Sequence, residues 1–156
     1  MEGYSKDFDT VLLAYSVLKR LGSGDVDTFT QRLISQKTQY LAQVFGISPI
    51  YNFNLYVRGP YSPTLAQDLF KLKNDGIKTK EEAFIPQELE DRFIKAKSFI
   101  ENKSPRQLEL TSTLHWLEVE VNLPLRSALR KLKEIKSAAK EEIAETNGFV
   151  KKICRL

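Results

Sequence analysis

Tyr51-Asn52-Phe53-Asn54-Leu55-Tyr56-Val57-Arg58, followed by Gly59-Pro60-Tyr61-Ser62-Pro63, interrupts a chain that otherwise reads as helix. Tyr51, Phe53, Leu55 and Val57 alternate with Asn52, Asn54, Tyr56 and Arg58. Period two marks a strand with one face on a core and the other toward water. Gly59-Pro60 breaks the strand. Ser62 suits an N-cap and Pro63 the first helical position, where a missing N–H costs nothing.

Working outward, Leu65, Leu69 and Leu72 give the Ser62 helix one apolar stripe, and Gly76 stops it. Ile77-Lys78-Thr79 and Ala83-Phe84-Ile85 are short enough to be a hairpin, and with Tyr51–Arg58 they make a three-stranded sheet. Upstream, Val11, Leu12, Tyr15, Leu18 and Leu21 predict a helix over 6–21, ended by Gly22-Ser23-Gly24. Asp27 is the expected N-cap of a second helix, with Phe29, Leu33, Tyr40, Leu41 and Val44 inward and Gly46 closing it.

Downstream, three prolines open helices. Pro86 precedes Leu89, Phe93, Ala96 and Ile100. Pro105 precedes Leu108, Leu114, Leu117 and Val121. Pro124 precedes Leu125, Ala128, Leu129, Leu132 and Ile135. A last helix from Ser137 is expected to break or end near Asn147-Gly148. The fold class is therefore α+β, mostly α: six to seven helices around a small antiparallel β-sheet of two to three strands. No repeat or linker divides the chain, so residues 1–156 read as a single domain.

The order of these pieces is itself informative. Gln36-Lys37-Thr38-Gln39-Tyr40-Leu41 lies on a helix, Tyr56-Val57-Arg58-Gly59-Pro60-Tyr61-Ser62 follows, and the next helix runs into Gly76-Ile77. Leu108-Glu109-Leu110 and His115-Trp116-Leu117 come later. Across roughly Val11 to Ile153 this resembles the YwgA-like family of uncharacterised prokaryotic proteins. The Gly59–Ser62 tetrapeptide is also similar to that of phage-associated proteins related to the Panacea, or SocA-like, antitoxin domain. That resemblance implies action by binding a partner protein. Ser35 and Thr38 depart from the pattern, standing where apolar residues are usual.

Two surfaces are candidates for binding. In the first, Tyr56, Arg58, Gly59, Pro60, Tyr61 and Ser62 meet at a strand-to-helix corner. The helix start offers free N–H groups, Arg58 a forked donor for a carboxylate or phosphate, and the two tyrosines a frame. The same residues also have plain structural duties in turning, capping and packing. In the second, Arg126, Arg130 and Lys133 share one arc of the Pro124 helix at 100° per residue. Lys140 joins that arc if the helix continues. From Pro124 onward nine basic residues face four acids, a net +5 in a chain whose total is +4, so attraction to polyanions belongs there. Base readout by the Ser62 helix is not supported: Gln67 and Lys71 are offset by Asp68 and Asp75.

Catalytic chemistry finds little to use. His115 is the only histidine, and Trp116 and Leu117 beside it suggest a half-buried flank. Cys154 is the only cysteine, so neither an intrachain disulfide nor a cysteine zinc site can form. Lysine and arginine stand beside it, but a terminus lacks the preorganisation a nucleophile needs. Glu81-Glu82, Glu118/Glu120 and Glu141-Glu142 have no histidine partner for a metal. No enzyme, no cofactor and no metal is expected. The first seven residues are polar with two acids, unlike a secretory leader. No apolar run reaches the roughly 20 residues of a bilayer span. A cytoplasmic protein with no membrane contact is the expectation. Its function reads as a non-catalytic interaction module, antitoxin-like, binding a protein partner. The alternative is sequence-nonspecific nucleic-acid binding through Arg126, Arg130 and Lys133.

Overall fold

A computed structural model describes residues 2–47, 49–75 and 85–154. Among them are seven α-helices and one antiparallel two-stranded sheet, so the mostly helical α+β class is correct. The chain forms two compact units. One comprises Met1–Phe53 and Ser62–Asn102, the other Asn54–Tyr61 and Lys103–Leu156.

The first unit holds α1 (Glu2–Arg20), α2 (Phe29–Val44), α3 (Pro63–Asp75) and α4 (Glu90–Ile100), the last entered through a 3-10 turn at Gln87–Leu89. The stripe expected on α1 is buried from Val11 to Leu21, as are Leu65, Leu69 and Leu72 on α3 and Phe93, Ala96 and Ile100 on α4. Gly22 takes φ +82° where α1 ends, a conformation only glycine adopts freely.

On α2 the cap is Thr28, one residue past the expected Asp27. Thr28 and Gln31 form a reciprocal capping box: the Thr28 hydroxyl accepts the Gln31 N–H at 3.1 Å, and Gln31 Oε1 accepts the Thr28 N–H at 3.0 Å. Phe29, expected inward, is 62% exposed, because it occupies the first helical position at the open end of the helix.

The middle of α2 is buried all round, and the run includes the polar residues Ser35, Gln36, Lys37, Thr38 and Gln39 before Tyr40, Leu41 and Ala42. Ser35 Oγ donates to the Ser23 carbonyl at 2.9 Å, and the Thr38 and Ser23 hydroxyls lie 2.8 Å apart. Ser35 and Thr38 thus pin the α1–α2 loop.

The strand expected over 51–58 is shorter. Strand β1 is Asn54–Tyr56 and pairs with β2, Gly59–Tyr61, in the register Asn54↔Tyr61, Leu55↔Pro60, Tyr56↔Gly59. Gly59-Pro60 does not end the strand but begins its partner. Tyr51 and Phe53 are buried and Leu55 partly buried as the alternation requires, but Val57, expected on the same inward face, is 88% exposed because it stands in the hairpin turn. The stretch from Tyr51 to Phe53 is extended without being a strand, because its pairing partner is a side chain. The Gln43 amide accepts the Tyr51 N–H at 2.9 Å and donates to the Tyr51 carbonyl at 3.1 Å. Gln39 likewise donates to the Pro49 carbonyl at 2.8 Å. The hairpin expected over 77–79 and 83–85, with the Gly76 stop, falls largely on residues 76–84, outside the described residues.

The second unit contains the β1–β2 hairpin, α5 (Pro105–His115), α6 (Leu125–Lys136) and α7 (Lys140–Cys154). Its core is Leu110, Leu114, Leu117, Ala128, Leu132, Ala138 and Val150, with Leu55, Leu123, Leu129 and Ile143 packed against it. α5 begins with a capping box between Ser104 and Gln107 and passes into a π-helical turn, Trp116–Glu120. The wider turn shifts the helical phase, and Val121, expected inward, is exposed. Leu125 and Ile135 are exposed as well, at the two ends of α6. Ser137 in the left-handed region (φ 47°) ends α6. The last helix therefore starts at Lys140 rather than Ser137. It runs unbroken through Gly148, where a helical glycine costs only about 1 kcal/mol against alanine.

Candidate functional site

Val57 and Arg58 form the two-residue turn of the hairpin, and Gly59 follows at φ +94°. Three-residue strands alone make a marginal hairpin, so the tip needs other support. The Tyr56 and Tyr61 rings meet edge to face at 5.3 Å. Gly59 and Pro60 are buried. The turn itself is fastened by Lys136, whose ammonium donates to the Val57 carbonyl at 2.6 Å and to Glu109 Oε1 at 2.7 Å. The Lys136 side chain is only 4% exposed and that of Glu109 19%. Arg106 completes the frame, donating to the Lys136 carbonyl at 2.8 Å and to Glu142 at 3.1 Å. That hydrogen bond, with one from the Ala139 N–H, holds the Glu142 carboxyl below the usual range.

On this rigid base the tip is open. Val57 is 88% exposed and Tyr56 48%, and Arg58 is exposed between Val57 and the buried Gly59. Among the described residues Arg58 has no hydrogen-bond or ion-pair partner.

Ser62, expected at the same corner, belongs to the first unit and is fully buried. Its N–H donates to Gln36 Oε1 and its carbonyl accepts from Gln36 Nε2, both at 3.0 Å. Its hydroxyl accepts the Leu65 N–H at 3.2 Å, capping α3 as the sequence suggested. With these groups engaged, Ser62 has little left to offer an anion. The structural duties of Gly59, Pro60 and Ser62 are thus all met, while Tyr56, Val57 and Arg58 face outward.

Arg126, Arg130 and Lys133 are exposed along α6. Lys140 does not join them, since α6 ends at Lys136. Lys136, Glu109 and Gln36 were not among the site residues expected from the sequence. Lys136 had a legible signal: at 100° per residue it falls among Leu125, Leu129 and Leu132 on the apolar face. Gln36 had none, as its partner lies 26 residues away.

His115 is buried, and burial pushes its imidazole from the ordinary 6.5 down to about 4. The unfolded chain takes up a proton there first. The stability conferred by keeping His115 neutral is thus fully present above about 6.5 and is lost as pH falls toward about 4. Because this is the only histidine, one NMR titration checks it. The expected midpoint is about 4, and an ordinary midpoint would show that the ring is solvated.

The side chain of Cys154 and the Glu81-Glu82 pair lie outside the described residues. Among the described residues no group of His, Cys, Asp and Glu is placed to hold a metal ion. Among them, too, no helix is long and apolar enough to cross a membrane. No protein-family model matches this chain, and neither a curated protein nor a solved structure does.

Proposed function

We propose that this chain is a non-catalytic interaction module of the cytoplasm that captures a protein partner through the hairpin tip Tyr56-Val57-Arg58. The observation that carries this reading is an exposed turn fastened from beneath by a buried hydrogen bond. An 88% exposed valine sits on a carbonyl bonded to a nearly buried lysine. A loop held in one conformation loses little entropy when it binds. Tyrosine and arginine, which flank Val57, are enriched among the residues that dominate binding energy. The likeness of Gly59–Ser62 to SocA-like antitoxin domains supports the same class of activity. Neutral, buried His115 and fully engaged Ser62 support the non-catalytic part.

A photo-crosslinking amino acid at position 57, introduced in the native cell, is the test. One discrete protein adduct is expected from position 57, and none from exposed Ile94 on α4. Arg58→Ala should remove the adduct while changing stability by less than about 0.5 kcal/mol, as for other unpartnered surface residues. Equal labelling from both positions, or no adduct at all, refutes capture by the tip.

A further inference from the structure

The outward face of α6 has no part in the hairpin tip. Arg126, Arg130 and Lys133 fall within an arc of about 60° at 100° per residue. They span about 10 Å of helix axis at 1.5 Å per residue. One nucleic-acid strand presents a phosphate about every 3.4 Å of axis, so the stripe matches about three of them.

These cations are also unspent. Among the described residues none of the three has a hydrogen bond or ion pair, although Glu134 follows Arg130 by one turn. Three other cations of the same unit are engaged, Arg106 with Glu142, Lys136 with Glu109 and Lys103 over the Phe149 ring, whereas Lys131 and Lys140 are exposed and unpaired among the described residues, like the three on the arc. Arg126 even stands in the first turn of α6, where the helix dipole disfavours a cation and no acid offsets it. Helix stability therefore does not explain its placement.

We propose that this face binds the phosphate backbone of nucleic acid without reading its sequence, through Arg126, Arg130 and Lys133. The arc itself carries no apolar side chain, and beside it Leu129 is partly buried and Leu132 buried, leaving only Leu125, 39% exposed at the helix start, as an apolar contact for a protein partner. It offers phosphate two forked guanidinium groups and one ammonium. The unit's charge agrees, with the net +5 concentrated from Pro124 onward. The proposal stands apart from partner capture by the tip, and either can fail alone.

Fluorescence anisotropy of the full chain with a labelled duplex of about two helical turns tests it. Neutralising three phosphates predicts affinity falling about 40-fold between about 50 and 200 mM salt. The triple variant Arg126→Glu, Arg130→Glu, Lys133→Glu should lose binding with an unchanged circular-dichroism spectrum. Lys95→Glu with Lys97→Glu, exposed on α4, should keep it. Three results would overturn the proposal: no binding at about 50 mM salt, equal binding by the triple variant, or competition by polyglutamate as effective as by unlabelled duplex. The last would give the face to an acidic protein instead.

Discussion

Replacing Gln36 with methionine lowers the stability of the protein by about 3 kcal/mol, although the two side chains have similar volume. The Gln36 amide meets both backbone groups of Ser62 at 3.0 Å, in a site where both residues are buried. Methionine fills the space and leaves the Ser62 N–H without an acceptor and out of reach of water. A stranded buried donor costs about 1–3 kcal/mol, and loss of the second bond adds to it. The Ser62 carbonyl suffers less, because it still accepts the Ala66 N–H at 3.0 Å. Urea denaturation measures the difference. The expected result is a lower midpoint with unchanged slope, since the surface exposed on unfolding is the same. A change under about 0.5 kcal/mol, the usual range for a surface substitution, would mean that water reaches Ser62 and the clamp is dispensable. Gln36→Glu separates the two bonds. It keeps an acceptor for the Ser62 N–H but loses the donor and buries a charge, so it should be at least as damaging at neutral pH as methionine.

These side-chain amides mark where reading the sequence stops. Hydrophobic spacing reports which side of a segment is buried, and it placed Val11–Leu21, Leu65–Leu72 and Phe93–Ile100 correctly. It also found that Tyr51 and Phe53 face inward. It does not report what pairs with the backbone. An alternating segment bonded to another strand and one bonded to Gln43 have the same pattern, so Tyr51–Phe53 looked like strand. The hairpin was hidden for a related reason: Gly59-Pro60 is a turn signal, yet here the turn precedes it at Val57-Arg58. Phase errors account for Val121, where a π turn alters the angle per residue.

For the candidate site the division is similar. Exposure of Arg126, Arg130 and Lys133 followed from helical phase alone. The corner around Ser62 was legible as a cap for α3, but not as closed, because Gln36 reaches it from 26 residues upstream. The most informative residue of the hairpin, Lys136, comes from 79 residues downstream of the turn it fastens. Helical phase places Lys136 on the apolar face of α6 but carries no trace of the partner it reaches.

Lys136→Met therefore has the second large effect, a loss of about 3–4 kcal/mol. Lys136 is buried and Glu109 mostly so, and removing one partner leaves a carboxylate in a poorly solvated place. The Val57 carbonyl fares better, because it belongs to an exposed turn where water can replace the ammonium. Pairing Lys136→Met with Glu109→Leu should recover most of the loss, since replacing both members of a buried ion pair by apolar groups is often neutral. A double variant as unstable as the single one would show that packing, not stranded charge, is responsible. The double variant also separates stability from function. Its fold is restored, but the Val57 carbonyl has lost the 2.6 Å bond that fixes the turn. If the tip recognises its partner through a preorganised conformation, crosslinking from position 57 should fall in the double variant despite normal stability. Undiminished crosslinking there would make the Lys136–Glu109 pair a structural feature only, and would locate the tip's rigidity in the Tyr56–Tyr61 contact and the β1–β2 pairing.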